Sequence, residues 1–295
     1  MIALVVTVPV SELELASDAL WSLGVVAIEE RAPAPGRGDG GAGPGDVVEP
    51  LELVELWTSL GDDVDEISSA VQAFPEPWRW ALVEVDESIA DSWREHAMPT
   101  SIDTDLVVCP AWVDDATAEI DPAVTVIRIE PGSTFGLGDH PTTVLSMRAL
   151  RRSMFVGATM LDVGCGSGVL AVAAAVFGAA RVDAIDISPA SLQTTTDNAE
   201  RNGVSGQITV STRPLADVVA RREAHEGYDV VVANILAPTL IELSADLQRA
   251  TKRSGVLIIS GVLVDRHAHV EAALAPMRCV ERDVLGGWAA LTLEW

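Results

Sequence analysis

The stretch that most constrains this chain is Leu161-Asp162-Val163-Gly164-Cys165-Gly166-Ser167-Gly168. Apolar residues lead into it from Ala158 to Val163, and an Ala- and Val-rich run with helical character follows from Val169 to Ala180. Strand, glycine loop and helix in that order predict one turn of an α/β sheet. Glycines there allow a tight bend and let the backbone approach a ligand that a Cβ would push away. The next strand-like run, Arg181 to Ile187, carries Asp186 near its C-terminal end, 22 residues beyond Gly164. An acidic side chain at that place suits the two hydroxyls of a ribose. A dinucleotide fingerprint starting at Gly164 would need a glycine at position 169, where Val169 stands.

Three alternate glycines led by Asp162 instead resemble motif I of the Rossmann-like S-adenosylmethionine (SAM) methyltransferases. The resemblance implies SAM as cofactor, with Asp162, Gly164, Gly166, Gly168 and Asp186 among its contacts. The plain alternative is an ordinary tight turn between strand and helix.

At 295 residues, 48% of them hydrophobic, the chain is long enough for one large domain or two ordinary ones and can bury a sizeable core. No apolar run reaches membrane-spanning length, and Met1 to Val10 lacks the features of a signal peptide, so a cytoplasmic protein is expected. Cys109, Cys165 and Cys279 are widely separated and odd in number, which suggests neither a disulfide framework nor a metal cluster. The formal net charge is −25 and lopsided: residues 1–98 hold 20 Asp+Glu against 4 Lys+Arg, a balance of −16. Repulsion from phosphates argues against a nucleic-acid substrate. An acidic front region would steer a basic protein partner, or simply aid solubility.

Read in order, Ala3 to Val10 alternates as a strand, Ser11 can cap a helix to Leu23, and Val25 to Glu30 is a second strand. Ala32 to Gly45 is Gly-, Pro- and Ala-rich and reads as a flexible loop. Leu53 to Leu60, Asp63 to Phe74 and Trp80 to Val85 then give strand, helix and strand. The order β-α-β-β-α-β is that of a ferredoxin-like domain. This predicts a front domain over 1–87, a linker around Trp93 over 88–99, and a second domain over 100–295.

In the second domain, Leu106 to Trp112 and Val124 to Ile129 are strands that lead into Phe135-Gly136-Leu137-Gly138-Asp139-His140-Pro141-Thr142-Thr143. Pro141 suits the first turn of a helix through Arg152, with Thr142 and Thr143 at its N-terminus, either as caps or facing an anionic group. His140 has no second His or Cys at ligand spacing, so no metal is expected. Helices over Pro189 to Asn202 and Thr239 to Thr251 alternate with strands over Gln207 to Ser211, Tyr228 to Ala233 and Gly255 to Val262. A helix from Asp265 to Leu274 places His267 and His269 on the surface. Asn234 closes the strand from Tyr228, where open α/β sheets place their chemistry; it is either a helix cap or a contact for a substrate amine. A hairpin over Cys279 to Trp295 completes a seven-stranded sheet with an antiparallel strand.

Together these pieces resemble the bacterial ribosomal-protein methyltransferases of the PrmA type, over nearly the whole chain. The specific parts are the Phe135 to Thr143 loop, residues 162–168, Asp186-Ile187 and Asn234-Ile235-Leu236. The resemblance implies methylation of lysine ε-amines and the N-terminal α-amine of large-subunit ribosomal protein eleven, a basic protein. Thr143, Gly164, Asp186 and Asn234 would contact SAM. The family's loop commonly reads Gly-Thr-Gly where this chain has Gly136-Leu137-Gly138, and Asp139 adds a carboxylate. Other readings remain: a SAM methyltransferase of another protein or small amine, or a catalytically silent SAM-binding docking module. Glutamine methylation usually shows Asn-Pro-Pro-Tyr at the place of Asn234-Ile235-Leu236-Ala237.

Overall fold

The computed structural model describes residues 2–22, 28–32, 53–59, 71–84, 97–114, 120–131, 138–221, 227–264 and 267–295. The chain divides into two compact units, Met1–Ala97 and Met98–Trp295. In the first, β1 (Ile2–Pro9), α1 (Leu13–Ser22), β2 (Ile28–Arg31), β3 (Leu53–Ser59) and β4 (Arg79–Glu84) follow in order. The strands form an antiparallel sheet ordered β2-β3-β1-β4. Leu4, Val6 and Val8 alternate along β1 onto one face and bury with Leu56, Ala16 and Leu20. The chain enters α1 through a 3-10 turn at Val10–Glu12 with Pro9 as its cap, so Ser11 caps nothing. Most of the helix expected over Asp63 to Phe74 lies outside the described residues, as do 33–45 and Trp93; Val71–Ala73 is a 3-10 turn.

The second unit opens with β5 (Thr100–Asp103), β6 (Leu106–Pro110) and β7 (Thr125–Ile129), a three-stranded sheet ordered β5-β6-β7. Next come α2 (Pro141–Ser153), β8 (Thr159–Val163), α3 (Val169–Val176), β9 (Arg181–Ile185), α4 (Pro189–Arg201), β10 (Ile208–Ser211) and α5 (Leu215–Ala220). The chain ends with β11 (Tyr228–Asn234), α6 (Ala237–Glu242), α7 (Ser244–Ala250), β12 (Thr251–Leu263), α8 (His267–Ala273), β13 (Arg278–Leu285) and β14 (Trp288–Glu294). A seven-stranded sheet runs β10-β9-β8-β11-β12-β14-β13, parallel through β12 and antiparallel at β14 and β13. Strand order reverses between β8 and β11, the switch point at which such sheets open a crevice.

Both faces of the central strands are covered, which is why they read as continuous apolar runs. Met160, Val230, Val232 and Ile258 pack on one face with α3 and with Val144, Met147 and Leu150 of α2. Leu161, Val163, Val231, Ala233 and Ile259 pack on the other. By the same alternation Asp162 shares the face of Met160, beneath α3.

Several expected boundaries move. The helix expected to reach Ala180 ends at Val176, because Gly178 N–H bonds Ala175 O and Ala179 N–H bonds Ala174 O, a Schellman close with glycine after the cap. The single helix expected over Thr239 to Thr251 is α6 and α7, broken at Leu243. Thr251 already belongs to β12, where Gly255 was the expected start. β5, with four residues, and α5, with six, are too short for a periodic pattern to be read in advance.

Candidate functional site

The glycine loop leaves β8 at Val163 and crosses toward β9, where Gly164 and Cys165 N–H both donate to Ile185 O at 2.8 and 3.1 Å. Gly164 needs to lack a side chain: a Cβ there would lie 2.5 Å from Ile235 Cγ2. Gly168 caps α3 in the left-handed region at φ +77°, and its missing Cβ would strike Thr195 at 2.5 Å. The loop is thus packed below and beside, and bends as only glycine allows.

Asp186 lies one residue beyond the end of β9. Its Oδ2 accepts Gly166 N–H and its Oδ1 accepts Ser188 N–H, each at 2.8 Å. Each carboxylate oxygen keeps a lone pair for a hydroxyl. Ile187 beside it is 95% exposed.

Asn234 ends β11 and pairs in register with Ser260 of β12. The capping alternative fails, because α6 begins at Ala237 with Leu236 as its cap. The half-buried Asn234 amide makes no side-chain hydrogen bond with the described residues.

The first turn of α2 is held to the same edge. Thr142 O accepts the Ser146 hydroxyl at 2.8 Å and the Ser260 hydroxyl at 3.2 Å. His140 is the cap: its Nδ1 accepts Thr142 N–H at 3.3 Å and lies 2.8 Å from Thr142 Oγ1. Its ring meets Trp288 edge-on at 5.3 Å, and burial holds its pKa below 6.5 against the pull of the Asp139 charge. Thr143 is 1% exposed, and its Oγ1 has no hydrogen-bond partner.

Asp162 is buried, and neither carboxylate oxygen has a hydrogen-bond partner. Burial pushes its pKa to about 7; the Asp186 charge adds to the rise, while the nearby Ala171 amide, outside hydrogen-bond geometry, opposes it. Burial also raises the Cys165 thiol, with the Asp162 charge next, so that sulfur stays protonated and is no nucleophile.

All seven residues singled out by sequence therefore lie along one edge. It runs from Asp186 after β9, through the loop after β8, to Asn234 at the end of β11 and, through the bond from Ser260 of β12 to Thr142 O, to the first turn of α2, which carries Thr143. Four adjacent strand ends span about 14 Å. Ser260, Thr195, Asn198 and the His140–Trp288 pair were not read as site residues; they act across long separations and carry no local spacing signal. His267, expected on the surface, is half-buried, with Nδ1 against Val264 O and Nε2 3.7 Å from Glu271.

The geometry suits a ligand with a ribose and an amino-acid end. Asp186 offers acceptors for hydroxyls, the loop offers backbone, and the unpartnered Asp162 and Thr143 suit an ammonium and a carboxylate. Among the described residues no helix is long and apolar enough to cross a membrane.

A family model and several known proteins match this chain. The family model described as Ribosomal protein L11 methyltransferase (PrmA) matches residues 2–294. A ribosomal protein L11 methyltransferase of Geobacter sp. (strain M21) is 34% identical over 262 residues, 83% of each chain. One from Pelotomaculum thermopropionicum is 41% identical over 208 residues, 70% of this chain and 65% of that one. Among solved structures, the ribosomal protein L11 methylase of Lactobacillus delbrueckii subsp. bulgaricus is 33% identical with a TM-score of 0.58, covering 67% of this chain and 97% of its own.

Proposed function

The chain belongs to the family of ribosomal protein L11 methyltransferases, and from that premise we propose that it methylates lysine ε-amines and the N-terminal α-amine of ribosomal protein L11 with SAM. The carrying observation is the single edge that joins the glycine loop, Asp186, Asn234 and Thr143, within a chain whose family match spans both units.

Thr143, Asp162, Gly164, Gly166, Gly168, Asp186 and Asn234 would hold SAM, which supplies a methyl group already activated on a sulfonium. The chain's own task is to present a neutral amine. A free lysine has a pKa of about 10.4, so the amine must shed its proton before attack. The half-buried edge around Asn234 disfavours the ammonium form, and the unbonded Asn234 amide oxygen orients the amine in line with the methyl group. Asn234 is the residue we assign to that orientation.

The finer organisation belongs to the same reading. A ferredoxin-like front domain over 1–87, rich in acidic residues, would hold the basic substrate; 88–99 would link it to a catalytic domain over 100–295. This acidic chain would work in the cytoplasm on a protein and not on nucleic acid.

Tritiated SAM incubated with ribosomal lysate from cells lacking their own version of this enzyme tests the reading. A single labelled large-subunit protein is expected, with the label on amines by peptide mapping. Label on another protein discards the substrate and keeps the chemistry. SAM binding without any transfer would make the chain a docking module.

A further inference from the structure

Helix α4 carries Thr195 and Asn198 on one face, and Asn202 follows at its C-cap. Asn202 reads both backbone groups of Arg128: its Oδ1 accepts the N–H at 2.8 Å and its Nδ2 donates to the carbonyl at 2.7 Å. Asn198 does the same one step along, with Glu130 N–H and Glu130 O each at 2.9 Å. Residues four apart on a helix are about 6 Å apart along its axis, and residues two apart on a strand about 6.7 Å. Asparagines on successive turns therefore match alternate peptide groups along the outer edge of β7 and the residue after it, and α4 stands where another strand would pair.

Asn198 reaches one group more. Its second N–H donates to Ser167 O at 2.9 Å, and its Oδ1 also accepts from the Arg201 guanidinium. All four of its hydrogen-bonding positions are used, and the side chain is fully buried. Thr195, equally buried, donates to Gly166 O at 3.2 Å. Two consecutive carbonyls of the glycine loop are thus held by α4. In a trans peptide the carbonyl and the next N–H point in opposite directions. Fixing the carbonyl of 166 fixes where the amide of 167 points, and fixing that of 167 supports the bond from Gly168 N–H to Cys165 O at 2.7 Å.

We propose that Thr195 and Asn198 are positioning residues for the cofactor: they set the peptide planes of the glycine loop without touching the ligand. The proposal rests on the SAM reading above. Asn202 bonds Arg128 and the Asn198 carbonyl but not the loop, and so supplies a matched control.

Full-length Asn198→Ala, Thr195→Val and Asn202→Ala proteins would be compared with wild type by calorimetric SAM affinity, by melting without SAM, and by kcat and KM. The expected result is a Kd raised about tenfold in Asn198→Ala and about fivefold in Thr195→Val, with kcat at saturating SAM within about twofold. Asn202→Ala should melt earlier yet bind SAM within about twofold of wild type. Thr195→Val keeps side-chain volume and carries the test if Asn198→Ala does not fold. Unchanged SAM affinity in Thr195→Val and any folded Asn198→Ala protein, or an equal loss in Asn202→Ala, overturns the proposal alone. Wild type that fails to bind SAM sinks the cofactor reading and this proposal with it.

Discussion

On the outer flank of the glycine loop, where β9 and α4 meet it, Asp186, Thr195 and Asn198 each bond backbone groups. On the inner floor, made by β8, β11 and the first turn of α2, Thr143 Oγ1 and both Asp162 oxygens have no hydrogen-bond partner, and the Asn234 amide bonds none of the described residues. Buried polar groups are normally satisfied, because an orphan costs about 1–3 kcal/mol. A chain can keep such groups if a ligand completes them. On the SAM reading proposed above, the flank holds the loop's shape and offers Asp186 to hydroxyls, and the ligand completes the floor.

The largest effect should come from Asp162, the most costly group on the floor. An acid whose folded pKa is raised contributes stability that is fully present below its ordinary 3.8 and lost as pH rises through about 7. Asp162→Asn removes that dependence. Without cofactor, its stability advantage over wild type should grow by about 4 kcal/mol between pH 4 and pH 9, measured by denaturant unfolding at each pH. A gap that stays constant would mean the carboxylate has a partner in solution, and the contrast between floor and flank would weaken.

Asn234→Ala and Asp186→Ala separate the two regions by function. On the floor, Asn234→Ala should lower kcat about 100-fold and leave SAM affinity within about threefold, if the amide orients the amine as proposed. Equal losses in both would remove the orienting role. On the flank, Asp186→Ala frees Gly166 N–H and removes the acceptor for hydroxyls. SAM Kd should rise about 30-fold in calorimetry with kcat at saturation little changed. If kcat fell instead, the flank would be doing chemistry and not holding shape.

How much was legible in sequence follows the same division of distances. The glycine spacing, Asp186 and Asn234 are local signals: glycines where the turn must be tight, and polar residues where an apolar strand ends. The Schellman close at Gly178 is equally local, but the alanine run that continues beyond it masks the stop. Asn198 could not be found this way, since its partners Ser167 and Glu130 lie 31 and 68 residues away. Ser260 meets Thr142 across 118 residues. A buried asparagine on a helix looks in sequence like any polar residue on a solvated face, and only the packed strand edge gives it a role.

Thr143→Val is the smallest change and the sharpest test of the floor. Valine keeps the shape and removes only the hydroxyl. Where that hydroxyl already bonds a protein group, its loss should cost about 1 kcal/mol of stability. Here Oγ1 has no partner, so the cofactor-free protein should melt no earlier than wild type. SAM affinity should nevertheless fall about fivefold, because the hydroxyl is one of the groups the ligand would satisfy. Lower melting with unchanged affinity would assign Thr143 to the structure of α2 and leave Asn234 and Asp162 to define the floor.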